Sequence, residues 1–379
     1  KIPLRLMMQG QEEAAIWDIL KEEYFCRDDK VKLAMDVAKK EFSLTQGMQH
    51  ERCANVYIGI PFCPTICAYC SFSSFPAGRY RDKMDAYLDA LEKEMTQCKE
   101  WLAGKQMVSV YVGGGTPTSL SEEQFERLMA MTEKYLPMEQ SKEFTVEAGR
   151  PDSITEGKLR SMKTHGVTRI SINPQSMKEH TLELLGRKHT VEEIREKFML
   201  ARTLGFDNIN MDLIAGLPEE TLEDFKETLR EVEALKPDSI TVHTLVIKRA
   251  SRLRKEQLEQ GGEMREEDAC IEPMQKEAEQ FCRVHGYEPY YMYRQKNKAH
   301  TTRNTNQENV AYAKPGKECL YNIFIMEELQ SILALGSGGS SKIVFPEENR
   351  MERVENVKSV DDYIGRIDEM IRRKKESWR

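Results

Sequence analysis

The stretch Gly59-Ile60-Pro61-Phe62-Cys63-Pro64-Thr65-Ile66-Cys67-Ala68-Tyr69-Cys70 ends one short apolar run, Val56–Ile60, and sets three cysteines at C-x3-C-x2-C spacing. Three thiols this close form a ligand set for iron. A [4Fe–4S] cluster takes one ligand per iron, so three thiolates leave one iron open, as catalytic metal sites leave a position open. A small molecule with an amine and a carboxylate can chelate that iron, and S-adenosylmethionine carries both. Two other readings stand beside this one: a structural zinc, and a cysteine group without metal. Structural zinc pairs C-x2–4-C with a second Cys or His pair. No His lies between His50 and His165, and there is no second close pair of cysteines. Cys63, Cys67 and Cys70 are therefore expected to hold a [4Fe–4S] cluster.

Outward from this motif, short apolar strands alternate with amphipathic helices. The expected strands are Val56–Ile60, Val108–Val112, Glu143–Glu147, Thr168–Ile172, Asn208–Ile214 and Ser239–Leu245. The expected helices cover Tyr80–Leu102, Ser121–Tyr135, Thr155–His165, a broken pair over Lys178–Leu204, and Leu222–Leu235. Six β-α repeats imply parallel strands with right-handed crossovers. Six units fall short of a closed eight-unit barrel. The fold expected is α/β, a partial open (β/α)6 barrel, with a doubly wound sheet as the competing reading. Polar and glycine signals recur just after these strands: the cysteine loop, Gly113-Gly114-Gly115-Thr116, Glu147, Gln175 and Asp212. Ligands of α/β folds bind at that edge. A glycine triplet lets backbone approach a ligand, and it also makes a plain tight turn.

Residues 1–50 read as a helical arm, with Val31, Ala34, Met35, Ala38 and Phe42 at helical spacing. Residues 51–250 hold the β-α core. Residues 251–379 read as a smaller α+β region over the barrel mouth, with strands expected at Tyr287–Arg294, Cys319–Leu329, Ser331–Leu335 and Ile343–Phe345 and a last helix at Val360–Lys375.

Composition narrows the function. The 379 residues carry 56 Lys+Arg against 63 Asp+Glu, a formal charge of −7, which argues against general nucleic-acid affinity. No run of about 18 apolar residues is present, so no membrane-spanning helix is expected. Nine cysteines, an odd number, without a secretory signal point to the reducing cytoplasm. The start at Lys1, inside an amphipathic pattern, leads us to expect upstream sequence. His243, on the sixth strand, is either a core histidine or a group facing substrate. Cys270, Cys282 and Cys319 are expected as buried thiols. Lys248, Arg249, Arg252, Arg254 and Lys255 read as solvated charge. Arg294, Lys296, Lys298, His300 and Arg303, preceded by Tyr287, Tyr290, Tyr291 and Tyr293, are either solvated charge or a site for a flat ring bearing carboxylates.

The cysteine motif after a first barrel strand resembles the radical S-adenosylmethionine (radical SAM) superfamily. Tyr57–Pro64, Gly113-Gly114-Gly115-Thr116-Pro117-Thr118 and Asp212-Leu213-Ile214-Ala215-Gly216-Leu217-Pro218 resemble its oxygen-independent coproporphyrinogen III oxidase group, in particular the HemZ type. The likeness runs from about residue 52 through Lys342. It implies that Glu147, Gln175 and Asp212 hold the amino or ribose groups of S-adenosylmethionine and that Arg187 pairs with its carboxylate. Gly113, Gly114, Gly115 and Thr116 would flank the methionine end. Tyr57 would lie near the cofactor, and Tyr69 would pack at the adenine end.

The resemblance also implies a reaction. The resembling oxidases convert two propionates of coproporphyrinogen III to vinyl groups, with loss of carbon dioxide, to give protoporphyrinogen IX in haem biosynthesis. The partners implied are a carboxylated tetrapyrrole, coproporphyrinogen III or haem, and an electron donor such as flavodoxin or ferredoxin. Two rivals share the fold: a haem chaperone, with His243, His285 or His300 as axial ligand, and an anaerobic haem-modifying radical methyltransferase. Two departures bear on a second S-adenosylmethionine site. Phe72 stands where the oxidases carry a fourth cysteine, and Gly338-Gly339-Ser340-Ser341-Lys342 ends in a charge where they have an aliphatic residue.

Overall fold

The computed structural model describes residues 1–70, 72–245, 271–294, 308–345, 348 and 350–378. The basic stretch Lys248–Lys255, Cys270, the side chain of Arg294 and the cations from Lys296 to Arg303 lie outside the described residues.

The described strands are β1 (Cys53–Ile60), β2 (Phe62–Cys63), β3 (Phe75–Pro76), β4 (Gln106–Gly114), β5 (Glu143–Gly149), β6 (Arg169–Ile172) and β7 (Ile209–Ala215). They continue with β8 (Ser239–Thr244), β9 (Glu288–Arg294), β10 (Glu308–Ala313), β11 (Ser331–Leu335), β12 (Ser340–Phe345) and β13 (Arg350–Glu355). All six strands expected in the core are present. Eleven strands form one sheet in the order β13-β12-β11-β1-β4-β5-β6-β7-β8-β10-β9. From β1 to β8 the core strands follow chain order, and each neighbouring pair is parallel. A doubly wound sheet would reverse direction at a switch point. Right-handed crossovers in unbroken order put every helix on one face, and a sheet covered on one face curls into an open barrel.

The strand residues alternate between two environments, as the period of two requires. Val56, Ile58, Val110, Val112, Val146, Ile170, Met211 and Leu213 face the helices in one large core. Asn55, Tyr57, Ser109, Tyr111, Thr145, Glu147, Asn210 and Asp212 occupy the intervening positions on the concave face. The helices begin where the sequence places caps. Ser121 and Thr190 head capping boxes with Gln124 and Glu193, and Thr221 does so with Asp224.

The C-terminal third feeds both edges of this sheet. Strand β11 lies parallel to β1, with β12 and β13 outside it, while β10 runs antiparallel to β8 with β9 beyond. The expected strand at Cys319–Leu329 is a helix, Leu320–Glu327. Its Ile-rich and Phe-rich composition favours a strand, but tertiary context decides. Glu143 of β5 accepts the Leu320 N–H at 2.6 Å and the Tyr321 N–H at 3.3 Å, capping the first turn. Tyr321 and Ile323 then pack among the buried residues inside the barrel. The expected final helix divides into Val360–Gly365 and Ile367–Ser377, and the helix expected at Tyr80–Leu102 divides into Ala77–Tyr80, Met84–Met95 and Cys98–Trp101. The N-terminal arm has three helices, Ile2–Met8, Glu13–Glu22 and Asp28–Thr45.

A buried ion pair fastens the last helix to the barrel rim. Lys374 and Glu94 are both fully buried and bonded to each other. Glu94 also accepts the Gly336 N–H at 2.9 Å, the Tyr363 hydroxyl at 2.6 Å and Asn356 Nδ2 at 2.9 Å. The Tyr87 hydroxyl donates to the Gly59 carbonyl at 2.6 Å and accepts the Ser337 N–H at 3.0 Å. Gly336 has φ +91°, and a Cβ there would lie 2.4 Å from the Gly59 carbonyl oxygen. The turn after β11 is thereby pinned to the end of β1, four residues before the first clustered cysteine. No described helix is long and apolar enough to cross a membrane.

Candidate functional site

The three clustered cysteines sit on the loop that leaves β1. The Gly115 N–H donates to the Ile60 carbonyl at 2.8 Å and the Thr116 N–H to the Phe62 carbonyl at 2.7 Å, so the loop after β4 braces it. Those two amides are spent on the brace and are not free to hold a cofactor. A Cβ at Gly115 would lie 2.6 Å from the Phe62 carbonyl oxygen and 3.0 Å from Cys63 Sγ. Glycine is needed there because two backbones and a thiol meet.

Cys63 is buried, and Cys67 and Cys70 are half-buried. Burial pushes the Cys63 thiol up to about 11, against the Thr116 hydroxyl, which stands 3.6 Å from its sulfur. An apolar pocket resists a bare thiolate, whereas iron supplies the opposing charge and displaces the proton. Two guanidinium groups aim at the same sulfur: Arg150 Nη1 and Arg187 Nη1 each lie 3.8 Å from Cys67 Sγ. N–H donors to sulfur suit an anionic iron–thiolate centre. Three thiols on one loop, with N–H donors at Cys67, fit the cluster.

Arg150 escaped the sequence reading, although it follows the end of β5 as Gln175 follows β6. It is buried and bonds Asp152 through Nε at 3.0 Å and Nη2 at 2.6 Å, and the Thr65 hydroxyl through Nη1 at 2.7 Å. Burial pushes the Asp152 carboxyl up, but His189 and Arg150 outweigh it and hold the group well below its ordinary range. The Arg150–Thr65 contact ties the strand end to the cysteine loop. Arg187 Nη1 lies 3.2 Å from the Tyr69 hydroxyl, and Nη2 donates to the Asn173 carbonyl.

The polar strand ends come together as expected. Glu147 accepts the Tyr111 hydroxyl at 2.5 Å. A Cβ at Gly113 would lie 2.9 Å from the Glu147 carboxyl carbon, so glycine leaves that carboxylate its room. Burial pushes Glu147 up to about 7, with Asp212 adding to the push and the Tyr111 and Gly114 hydrogen bonds opposing it. Burial also pushes Asp212 up, but His243, Asn210 and Thr241 hold it below its ordinary value. Asn210 Nδ2 donates to Asp212 Oδ1 at 2.7 Å, and His243 Nε2 lies 3.6 Å from Asp212 Oδ2. His243 keeps 35% of its side chain exposed, so it lines the concave face and is not a core histidine. Gln175 adopts φ +71°, rare for a residue with a side chain and frequent at functional sites. Its backbone is locked there by the Asp212 carbonyl at 2.9 Å and the Ile214 N–H at 3.0 Å.

Three tyrosines stack inside the barrel. Tyr111 and Tyr321 have ring centroids 4.6 Å apart, and Tyr57 stands 6.2 Å from Tyr111 and 6.1 Å from Tyr321. Tyr111 and Tyr321 gave no signal of their own, but Tyr111 precedes Gly113 by two residues and so shares its face. Phe72 is 76% exposed. Lys342 turns away from the rim, its ammonium 3.0 Å from the Ile325 carbonyl and 3.4 Å from Glu328 at the end of the Leu320–Glu327 helix. Cys282 and Cys319 are buried thiols.

The radical SAM superfamily pattern matches residues 57–232. Over 372 residues the chain is 40% identical to the oxygen-independent coproporphyrinogen-III oxidase-like protein HemZ of Bacillus subtilis (strain 168), covering 97% of this chain and 73% of that protein. The heme chaperone HemW of the same organism is 38% identical over 194 residues, 51% of this chain and 50% of that protein. Among solved structures, coproporphyrinogen III oxidase (HemN) from Escherichia coli matches with a TM-score of 0.65 at 24% identity, over 87% of this chain and 72% of that one. That likeness is one of fold. Thiol loop, barrel order and identity over nearly the whole chain agree: the chain belongs to the radical SAM superfamily, in its oxygen-independent coproporphyrinogen III oxidase-like group, a family that works with a [4Fe–4S] cluster and S-adenosylmethionine.

Proposed function

We propose that this protein is a cytoplasmic oxidoreductase that decarboxylates the propionates of coproporphyrinogen III to vinyl groups without oxygen. The observation that carries this reading is the 40% identity, over nearly the whole chain, to a protein named as like that oxidase. When bound, the cluster and S-adenosylmethionine supply a carbon radical able to take hydrogen from an unactivated C–H bond. Cys63, Cys67 and Cys70 would hold the cluster, with Arg150 and Arg187 lending N–H donors to Cys67. Glu147 would accept from the amino group of S-adenosylmethionine, Arg187 would pair with its carboxylate, and Gln175 and Asp212 would hold its ribose hydroxyls. Gly113 leaves room for that amino group beside Glu147. Tyr57 and Tyr69 would close over the cofactor. The concave face below is lined with tyrosines and polar groups and receives the tetrapyrrole. A flavodoxin or ferredoxin would deliver electrons from the loop side.

Anaerobic incubation of the reconstituted protein with coproporphyrinogen III, S-adenosylmethionine and dithionite tests the proposal. Mass analysis should show loss of carbon dioxide twice per product. One observation favours a second reading, haem binding without turnover. His243 is half-exposed on the concave face and able to serve as an axial ligand. A haem titration giving a His-type spectrum that His243→Ala abolishes, with no decarboxylation, would select that reading. A gain of methyl mass would select a methyltransferase.

A further inference from the structure

The floor of the barrel holds a cation with too few partners. Arg169, the first residue of β6, keeps 2% of its surface. Among the described residues its side chain makes one hydrogen bond, from Nη2 to the Ser239 hydroxyl at 3.0 Å, and Nε has no partner. The neighbouring Glu143 carboxylate lends it charge but no hydrogen bond. Glu143 has committed both oxygens to the helix start at Leu320 and Tyr321, to the Cys319 thiol at 3.3 Å and to the Thr145 hydroxyl at 3.2 Å. Two more buried groups on the concave side lack an acceptor for their proton among the described residues: the Ser171 hydroxyl, and the Tyr290 hydroxyl, which faces the Cys319 backbone N–H. A buried guanidinium normally finds a full set of acceptors, because unmet donors in a low dielectric are costly. Here a cation and two hydroxyls share one interior and lack an acceptor.

The register fixes the depth. Ser171 pairs with Glu147 on one side and Asn210 on the other, whereas Arg169 pairs with Thr145. At roughly 3.3 Å per residue, Arg169 starts about 6–7 Å below the Glu147 level. By register Tyr57 and Tyr111 share the Arg169 level, and both keep some exposure, so the open part of the concave face extends down to that level.

We propose that Arg169, with Tyr290 and Ser171, forms a carboxylate subsite at the barrel floor that takes one acidic arm of the substrate. Guanidinium, phenol and hydroxyl donors match an acceptor-only carboxylate. The proposal rests on the tetrapyrrole reading for the identity of the arm, and its test separates the two. The cluster-reconstituted full chain is titrated with coproporphyrin III, a tetra-acid, and with its tetramethyl ester, which has the same ring and no charge. Binding is read by porphyrin fluorescence. Cluster absorption and 5′-deoxyadenosine release without porphyrin report the remainder of the site. The wild type should prefer the acid. Arg169→Gln should lose about tenfold or more in acid affinity, as one charge-assisted contact warrants, with ester binding unchanged. Arg169→Lys should restore part of the loss, and Tyr290→Phe should lose severalfold. An unchanged acid-to-ester ratio in Arg169→Gln overturns the subsite and leaves the tetrapyrrole reading standing. If Arg169→Gln does not fold, an unchanged ratio in Tyr290→Phe overturns it instead. A wild type that binds neither porphyrin overturns both.

Discussion

Lys374 and Arg169 are both cations withdrawn from water, at 0% and 2% exposure, and they end differently. Lys374 lies outside the barrel, between the last helix and the helix Met84–Met95, and its ammonium reaches both Glu94 and Asn356 Oδ1, the latter at 2.6 Å. Every member of that network bonds another member. Arg169 lies inside the barrel with one bond and an orphaned Nε. Higher up, Arg187 Nε and Asn173 Oδ1 near the cysteine loop are orphaned as well. Buried polar groups that hold a fold are closed on each other, because each unmet donor costs stability. Groups reserved for a ligand stay open until it arrives. The Lys374 network closes on itself behind the sheet, and the Arg169 group stays open in front of it.

The largest test of this division acts on the open side. Cys67→Ala should abolish the visible absorption of the reconstituted cluster and all 5′-deoxyadenosine release. The melting temperature of the metal-free chain should stay near that of the wild type, because Cys67 is only half-buried and the fold does not close on it. Collapse of the metal-free variant would place Cys67 among the groups that hold the fold. On the closed side, Lys374→Met should cost roughly 3–5 kcal/mol, since Glu94 is left buried and unpaired. Pairing it with Glu94→Gln should recover part of that loss, as measured by denaturant unfolding. Because Glu94 also holds Gly336 against the end of β1, the single variant should bind iron less completely. A third change strikes the seam between the regions. Gly115→Ala puts a Cβ 2.6 Å from the Phe62 carbonyl, and overpacking of this kind costs about 1–3 kcal/mol. Iron content per chain should fall more than melting temperature does.

The division also explains what the sequence disclosed. Buried parallel strands usually read as unbroken apolar runs. Here one face is a ligand chamber, so Val-Tyr-Ile-Gly-Ile at 56–60 and Asn-Met-Asp-Leu-Ile at 210–214 alternate, and the strands and their polar ends were both legible. The order of the strands was not, because periodicity carries no information on neighbours. The helix Leu320–Glu327 was misread because its cap lies on Glu143, far away in sequence. Strands β10 and β13 were missed: β10 is completed by β8, far away in sequence, and β13 is a sheet edge whose Arg-Met-Glu-Arg-Val-Glu run carries little apolar signal. Arg150 and Arg169 were passed over for a related reason. An arginine is usually a surface residue, and only the packed structure shows that these two are buried.

The smallest effect expected is a dependence on pH, and it tests whether Glu147 belongs to the open set. Its carboxyl is raised from an ordinary 4.5 to about 7, chiefly by burial. Between those values the folded chain holds a proton that the unfolded chain has released. Folding stability should therefore fall as pH rises through that window, with a slope of up to about 1.4 kcal/mol per pH unit for one proton. Ligand binding should run the other way. If Glu147 accepts from the amino group of S-adenosylmethionine, the carboxylate form is the binding form, and affinity should rise about tenfold between pH 6 and pH 8. Calorimetry in buffers of different ionisation enthalpy should register a proton released on binding near pH 6.5. In Glu147→Gln both the stability slope and the proton release should vanish, and affinity should become flat across that range. A wild type whose affinity is already flat, with no proton released, would mean that Glu147 stays protonated against its Tyr111 partner and that the amino group is held elsewhere on the rim.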